Sequence, residues 1–357
     1  MCICPQQSFA QAKPVTWTAT EVWRTDGGES GEPFADLRDY VVLKDGSVWA
    51  LDFKHQDIRR YSADGKLLSK IARKGRGPGE LQNANGMVVA KDGKVWVNDP
   101  SNRRFSVYGA DGKYLQQFLF PITAYGFRWS AWSNRNSGEI VEAKLNRDSS
   151  GWRRFDNQGK VVGALPATMC ASGKGSPGMY RAETPGKGSS NGWYPFGTGG
   201  GLAPDGNGNA WCASIYATRV ALLRIGPKND TIAMTMLEIP NVAVSNAERN
   251  AELASVDSNL ARYATNNFDK SKVSSSKSGI ASLEVDSDGR LWVQHATVFG
   301  KREATFDVFD GKGKHLGRVT LKGKQSPAMP VRARGKLLWI AMVDDDDVPY
   351  VVHYRLQ

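Results

Sequence analysis

Residues 76–118 read RGPGELQNANGMVVAKDGKVWVNDPSNRRFSVYGADGKYLQQF. Apolar runs at 86–90, 95–98, 105–108 and 114–118 are rich in Val, Tyr, Phe and Trp. Asp92-Gly93 and Asp111-Gly112 punctuate them. Glycine has no Cβ to clash at positive φ, so an Asp-Gly pair between such runs reads as a two-residue hairpin turn. Short β-prone runs bounded by turns of this kind read as strands. The stretch is therefore predicted to be a four-stranded antiparallel meander.

The pattern recurs on both sides. An earlier copy runs from 40 to 71 through Asp45-Gly46 and Asp64-Gly65, and Trp49 precedes Trp96 by 47 residues in the same register. A degenerate copy spans 128–165. Others centre on Trp211, Trp292 and Trp339, and the last holds three strands where the others hold four. One unpaired alternating segment, VTWTATEVWR at 15–24, stands before the first copy. Adding it to the last copy removes two exposed sheet edges, which closed repeat folds avoid. The prediction is an all-β chain: one domain over 13–357, a six-bladed β-propeller closed by its N-terminal strand.

Two insertions break the spacing, at 167–197 and 241–278. The first is rich in Gly, Ser and Pro, carries Trp193 and Tyr194, and is predicted as a long ordered loop. The second has Ser245 followed three residues on by Glu248, a capping-box arrangement. Leu253, Val256, Leu260 and Tyr263 follow at helical spacing, predicting one amphipathic helix that is either a brace on its own blade or a partner-binding element.

Composition narrows the function classes. The 357 residues carry a net charge of +11 without a long basic run, so nucleic-acid binding gains no support. A positive surface still suits an acidic protein face, a polyanionic polysaccharide or a lipid headgroup surface. No apolar run approaches the ~20 residues that span a bilayer, which leaves peripheral membrane association open. Residues 1–12 end in Ala10-Gln11-Ala12 and read as the tail of an export signal, the competing reading being a disordered tail. Periplasmic or secreted localisation follows. Cys2 and Cys4 would leave with that tail. Cys170 and Cys212 would remain, either as one disulfide or as two buried thiols.

The quoted stretch, with the Gly before it, resembles the NHL-type repeat of bacterial six-bladed β-propellers. The resemblance rests on Gly-x-Gly-Pro-Gly-Glu, on Asp-Gly before Val-Trp-Val, and on the corner Asp99, Asn102 and Arg103. It is good over 40–120, fair over 280–357 and poor over 121–240. It implies the fold, and it implies an Asp99–Arg103 ion pair at the blade corner. Related propellers include metal-dependent lactonases, lyases and pure binding domains, so the fold leaves the activity open.

Sites in such folds gather at one mouth of the channel. They come from loops entering each innermost strand and loops joining second and third strands. Here those loops hold Asn83, Asn85, His55, Asp57, Asp99, Asn102, Arg103, Asn146, Arg147, Asp148, Tyr216, Arg219 and His295. His55 and His295 follow second strands and are the candidate catalytic bases. His315 and His353 read as structural. Asp344, Asp345, Asp346 and Asp347 are the candidate metal ligands, since calcium needs about six to eight oxygens, and the plain alternative is a solvated turn. No cofactor is predicted, and calcium is possible. The leading expectation is a non-catalytic binding or scaffold protein holding a protein partner or envelope component. The alternative is a calcium-dependent hydrolase or lyase at the channel mouth.

Overall fold

A computed structural model describes residues 15–25, 32–119, 140–145, 150–156, 158, 160–165, 178–197, 201–205, 207–326 and 329–357. The chain is mostly β, with a single α-helix among these residues. The first sheet comprises Leu37–Val42, Val48–Asp52, Asp57–Tyr61 and Leu67–Ile71, paired in chain order and antiparallel. The second comprises Gly86–Val89, Val95–Asp99, Arg104–Tyr108 and Tyr114–Leu119, within a residue or two of the predicted strands. Further meanders occupy 140–165, 202–238, 280–322 and 324–356.

The turns differ from expectation in one detail. Ala90 O accepts the Gly93 N–H at 2.9 Å while Ala90 N donates to Lys94 O at 2.8 Å. The turn is thus one residue longer than a two-residue hairpin turn, and only the glycine takes positive φ, +82° at Gly93. The Asp carboxylate earns its place by accepting the N–H two residues on, Asp92 from Lys94 and Asp111 from Lys113.

Sheets pack face to face in a continuous series. The second packs on the first through Trp49, Leu51, Met87 and Val97. The first packs on the last through Tyr40, Ala50, Trp339 and Val351. The last packs on the 280–322 sheet, and that sheet on the 202–238 sheet. This face-to-face series of meanders is a β-propeller arrangement. Trp49, Trp96, Trp211, Trp292 and Trp339 are all at most 2% exposed, as expected of packing residues between sheets.

The N-terminal segment does more than the predicted single strand. Thr16–Trp17 pairs parallel with the outer strand His315–Lys322. Ala19–Arg24 then pairs antiparallel with Pro349–Leu356. Thr18 sits at the break, exchanging backbone hydrogen bonds with Gln357. Trp17 lies where a Cβ on Gly317 would be, 2.4 Å away, and Trp23 does the same at Gly65, 2.8 Å away. Trp23 Nε1 also donates to Ala63 O at 2.8 Å. One strap therefore touches the last two sheets and the first.

The insertions also depart from expectation. The first is not a plain loop in its described part: Met179–Thr184 and Gly188–Trp193 form a hairpin, which pairs with Thr265–Asn266 of the second. The predicted helix is Asn246–Leu260, here α1, and Ser245 Oγ accepts the Glu248 N–H at 3.1 Å. The capping box is incomplete, because the Glu248 carboxylate turns to Lys277 instead. Val256 and Leu260 pack with Ala182, Tyr180, Tyr263 and Phe268 into a separate small core. Sequence-distant insertions thus make one accessory lobe.

Candidate functional site

Two equivalent corners show how the repeat builds a site. Asp52 and Asp99 end the second strands of the first two sheets and are both fully buried. Asp99 accepts the N–H groups of Gln82 and Asn83 at 2.9 Å and the Asn102 side chain at 2.7 Å. Asp52 accepts the N–H of Ala35 at 2.9 Å and of Lys54 at 3.0 Å, and bonds His55 Nδ1 at 3.0 Å. His55 therefore stands where Asn102 stands, 47 residues on. Gln56 and Arg103 follow in the same left-handed conformation, with φ of 58° and 53°. The anticipated Asp99–Arg103 ion pair does not form. Asp99 is spent on backbone donors, Arg103 points to solvent, and the buried cation is Arg104, bound to the carbonyls of Arg76, Gly77 and Glu80.

Among the described residues the two corners differ in what lies over them. Asn102 Nδ2 also holds Gly75 O at 3.0 Å, so the incoming loop closes over it. His55 opens on a groove of about 520 Å³ lined by Glu32, Phe34, Ala35, Asp57, Lys70 and Val348. The groove lies at the seam between the first and last sheets. Arg59, buried beneath it, reaches Asp52 at 3.2 Å and lies over the Phe34 ring. Burial alone would raise Asp52, but the Ala35 and His55 N–H groups and the His55 ring hold its carboxyl below the usual range. Asp57 goes the other way: burial raises it against the pull of Arg59. The ionised Asp52 carboxylate can only accept, so His55 Nδ1–H donates to it, which leaves Nε2 as the other ring nitrogen of a groove-lining imidazole.

His295 has a separate setting. Its Nε2 bonds Asp307 at 2.6 Å, His315 Nε2 bonds the same carboxylate at 2.7 Å, and Arg318 adds two more bonds. Burial raises Asp307, but these donors hold its carboxyl well below the ordinary value. His55 and His295 are thus not paired with each other; each is tied to its own aspartate. His315, expected to be structural, belongs to this second cluster. His353 is structural, stacked on Trp339 at 4.5 Å.

The other predicted residues divide. Asn83 and Asn85 help build the second sheet's corner, with Asn85 Oδ1 accepting from Asn98 at 3.3 Å. Tyr216 is 52% exposed, with Arg219 5.7 Å above its ring. Trp193 is 67% exposed and directly opposite Met179, itself 49% exposed. Tyr194 is not a surface residue: it is buried in the lobe, stacked on Phe268 at 5.1 Å. Asn146, Arg147, Asp148 and Cys170 lie outside the described residues, as do residues 1–12. Cys212 is buried and disulfide-bonded.

The acidic run proves to be a turn. Asp344 accepts the N–H groups of Asp346 and Val348 at 2.9 Å, Asp345 pairs with Arg302 at 3.1 Å, and Asp347 pairs with Lys324 at 2.6 Å. These carboxylates do not converge. Among the described residues no three His, Cys, Asp or Glu side chains gather to hold a metal.

Sequence reasoning missed a buried bridge across innermost strands. Arg332 of the last sheet reaches Glu284 at 3.0 Å and lies 3.8 Å from Asp39 of the first, while Asp39 accepts the Met87 N–H at 2.6 Å. The signal was available: charged residues inside the apolar runs LRDYVV and IASLEV.

No protein-family model matches the chain, and no curated protein matches it. Solved structures do resemble it. A virginiamycin B lyase from Staphylococcus aureus is 12% identical with a TM-score of 0.44, covering 96% of this chain and 99% of that one. A candidate exported protein from Bacteroides fragilis is 10% identical with a TM-score of 0.47, at 96% and 95% coverage. A calcium-binding regucalcin from Agrobacterium tumefaciens is 10% identical with a TM-score of 0.42, at 96% and 96%. No helix is long and apolar enough to cross a membrane among the described residues.

Proposed function

We propose that the chain is a closed six-bladed β-propeller that serves as an exported binding protein, holding a protein partner or envelope component through its accessory lobe. The observation that carries this reading is the lobe itself. Two sequence-distant insertions share a three-stranded sheet and a small core, and they present the Met179–Trp193 pair outward. An exposed Trp beside a flexible thioether suits a partner anchor, because both shed water over a large area on docking. Six blades and closure are supported by the packing of the last sheet on the first and by the strap over the seam. The disulfide at Cys212 supports an oxidising compartment.

The test is affinity capture of the tagged chain from its native envelope fraction, with and without Trp193→Ala and Met179→Ser. A stoichiometric partner lost in the double variant, whose melting point is unchanged, is the expected result. Capture that ignores both substitutions sinks the lobe reading.

A second reading, hydrolase or lyase chemistry, has its own observation: the Asp52–His55 pair opening on the seam groove beside Asp57. His55 Nε2 would take a proton from water or from a carbon acid, and Asp57, held toward its protonated form by burial, would supply one to a leaving group. The calcium requirement of the original alternative gains no support from side chains among the described residues. Turnover of an ester, lactone or polysaccharide panel, abolished by His55→Asn, would establish this reading. A wild-type chain inert on the whole panel would count against it.

A further inference from the structure

The loop that enters the second sheet and the corner it covers carry an excess of positive charge that the binding lobe and the seam groove do not use. Arg73, Lys74 and Arg76 lie in this loop, and Arg103 lies on the corner. Three contacts lock the two parts together: Asn102 Nδ2 to Gly75 O at 3.0 Å, and Arg104 to Arg76 O at 3.2 Å and to Gly77 O at 2.6 Å. The loop's one carboxylate, Glu80, is consumed by Arg73 at 2.9 Å and by the Gly77 N–H at 2.8 Å. Lys74, Arg76 and Arg103 are exposed and form no ion pair among the described residues. The fold thus holds three exposed cations without a carboxylate partner among the described residues on one hydrogen-bonded corner.

An apolar side chain stands beside them. Leu119 ends the outer strand directly opposite Arg104, on the face that the loop covers, and is 74% exposed. A bilayer surface uses both: phosphates for the cations and the acyl boundary for the aliphatic tip.

We propose that this corner is a peripheral docking surface for anionic phospholipid bilayers, engaged through Lys74, Arg76 and Arg103 with Leu119 entering the interface. Each such cation near an anionic bilayer is worth about a five-fold gain in binding. The three together would be worth about 100-fold, and the attachment would be weak, reversible and salt-sensitive.

The experiment is sedimentation of the full chain with vesicles of phosphatidylcholine alone, or with about one-third phosphatidylglycerol. Binding is expected only to the phosphatidylglycerol vesicles, and to disappear as salt rises from ~20 to ~200 mM, where the Debye length contracts from about 20 Å to about 7 Å. The triple variant Lys74→Ala, Arg76→Ala, Arg103→Ala should lose about 100-fold. A control triple, Lys187→Ala, Lys228→Ala, Lys312→Ala, removes the same net charge from exposed positions elsewhere and should bind as wild type. Leu119→Asn should weaken binding several-fold with an unchanged salt slope. Melting curves establish that each variant is folded. The proposal fails if wild type ignores the phosphatidylglycerol vesicles, or if both triples weaken binding equally, since net charge and not this corner would then be the cause. It also fails if soluble acidic polypeptide binds the corner and the vesicles do not, which would make the occupant a protein.

Discussion

The corners at Asp52 and Asp99 perform one structural task with different parts. Both bury a carboxylate at a strand end, both satisfy backbone N–H groups seventeen residues upstream, and both place the fourth residue on in a left-handed conformation. At Asp99 every nearby donor is neutral, and the loop seals the corner. At Asp52 the donors include an ionisable imidazole and a buried guanidinium, and the corner opens on a groove. The repeat therefore fixes the scaffold of the corner without fixing its side chains: one copy sets an imidazole beside the buried carboxylate where the other sets an amide.

Removing the two carboxylates tests this most severely. Asp99→Ala leaves buried N–H donors unmatched and should cost about 3 kcal/mol. Asp52→Ala does the same and also takes from buried Arg59 its nearest carboxylate, leaving Asp57 at 3.6 Å and Glu32 at 3.8 Å, so it should cost about 4 kcal/mol. Urea unfolding would measure both. The double variant Asp52→Ala, Arg59→Leu should recover part of the larger loss, because it removes a buried charge that has lost its nearest partner, whereas equal losses in the two single variants would break the contrast.

The seam between the first and last sheets has a second weak point, away from the Asp52 corner. His353 lies between Trp339 and the strap's Trp23, 7% exposed, with neither ring nitrogen bonded. Burial, with Arg355 adding to it, pushes this imidazole down to about 4. Between that value and the ordinary 6.5 the unfolded chain binds the proton and the folded chain does not. Stability is therefore fully present above pH 6.5 and falls as the pH drops toward 4, by roughly 3 kcal/mol in all. His353→Phe should flatten this part of the stability curve. In hydrogen exchange, acid should expose the strap and the last sheet before the second sheet.

The contrast also marks how far the sequence was legible. Trp49 and Trp96, the Asp-Gly turns and the 47-residue spacing revealed strands, packing residues and both corners, because those depend on local φ and on a buried face repeated in register. The strap's double pairing was not legible, since Trp17 and Trp23 find partners about 300 and about 40 residues away that no local pattern announces. Nor was the hairpin at Met179–Trp193, whose Gly- and Ser-rich second strand carries no alternation and is held by its neighbours. The position of His55 is legible in the repeat and its tie to Asp52 is readable only from the register, in which Asp52 sits three residues after Trp49 just as Asp99 does after Trp96. His295 takes that same position after Trp292, so an imidazole replaces the corner acid there and must borrow Asp307 from the next strand.

The smallest expected change in stability separates the two corners best. His55→Asn installs at the first corner the residue that the second corner already uses. Its side-chain amide can donate to Asp52 as Asn102 donates to Asp99 at 2.7 Å, so the cost should stay below about 1 kcal/mol. The reciprocal Asn102→His should cost slightly more, about 1–2 kcal/mol, because the imidazole must give up the bond to Gly75 O and crowd the sealed loop. If His55 only fills a corner, the first variant is indistinguishable from wild type in every assay. If it works as a base, ligand turnover disappears while the melting point stays in place, and phenylalanine at the same site would be a poorer test because it also leaves Asp52 short of a donor. A large destabilisation by His55→Asn would show that the corners are not equivalent in structure and that His55 carries more of the first corner than Asn102 carries of the second.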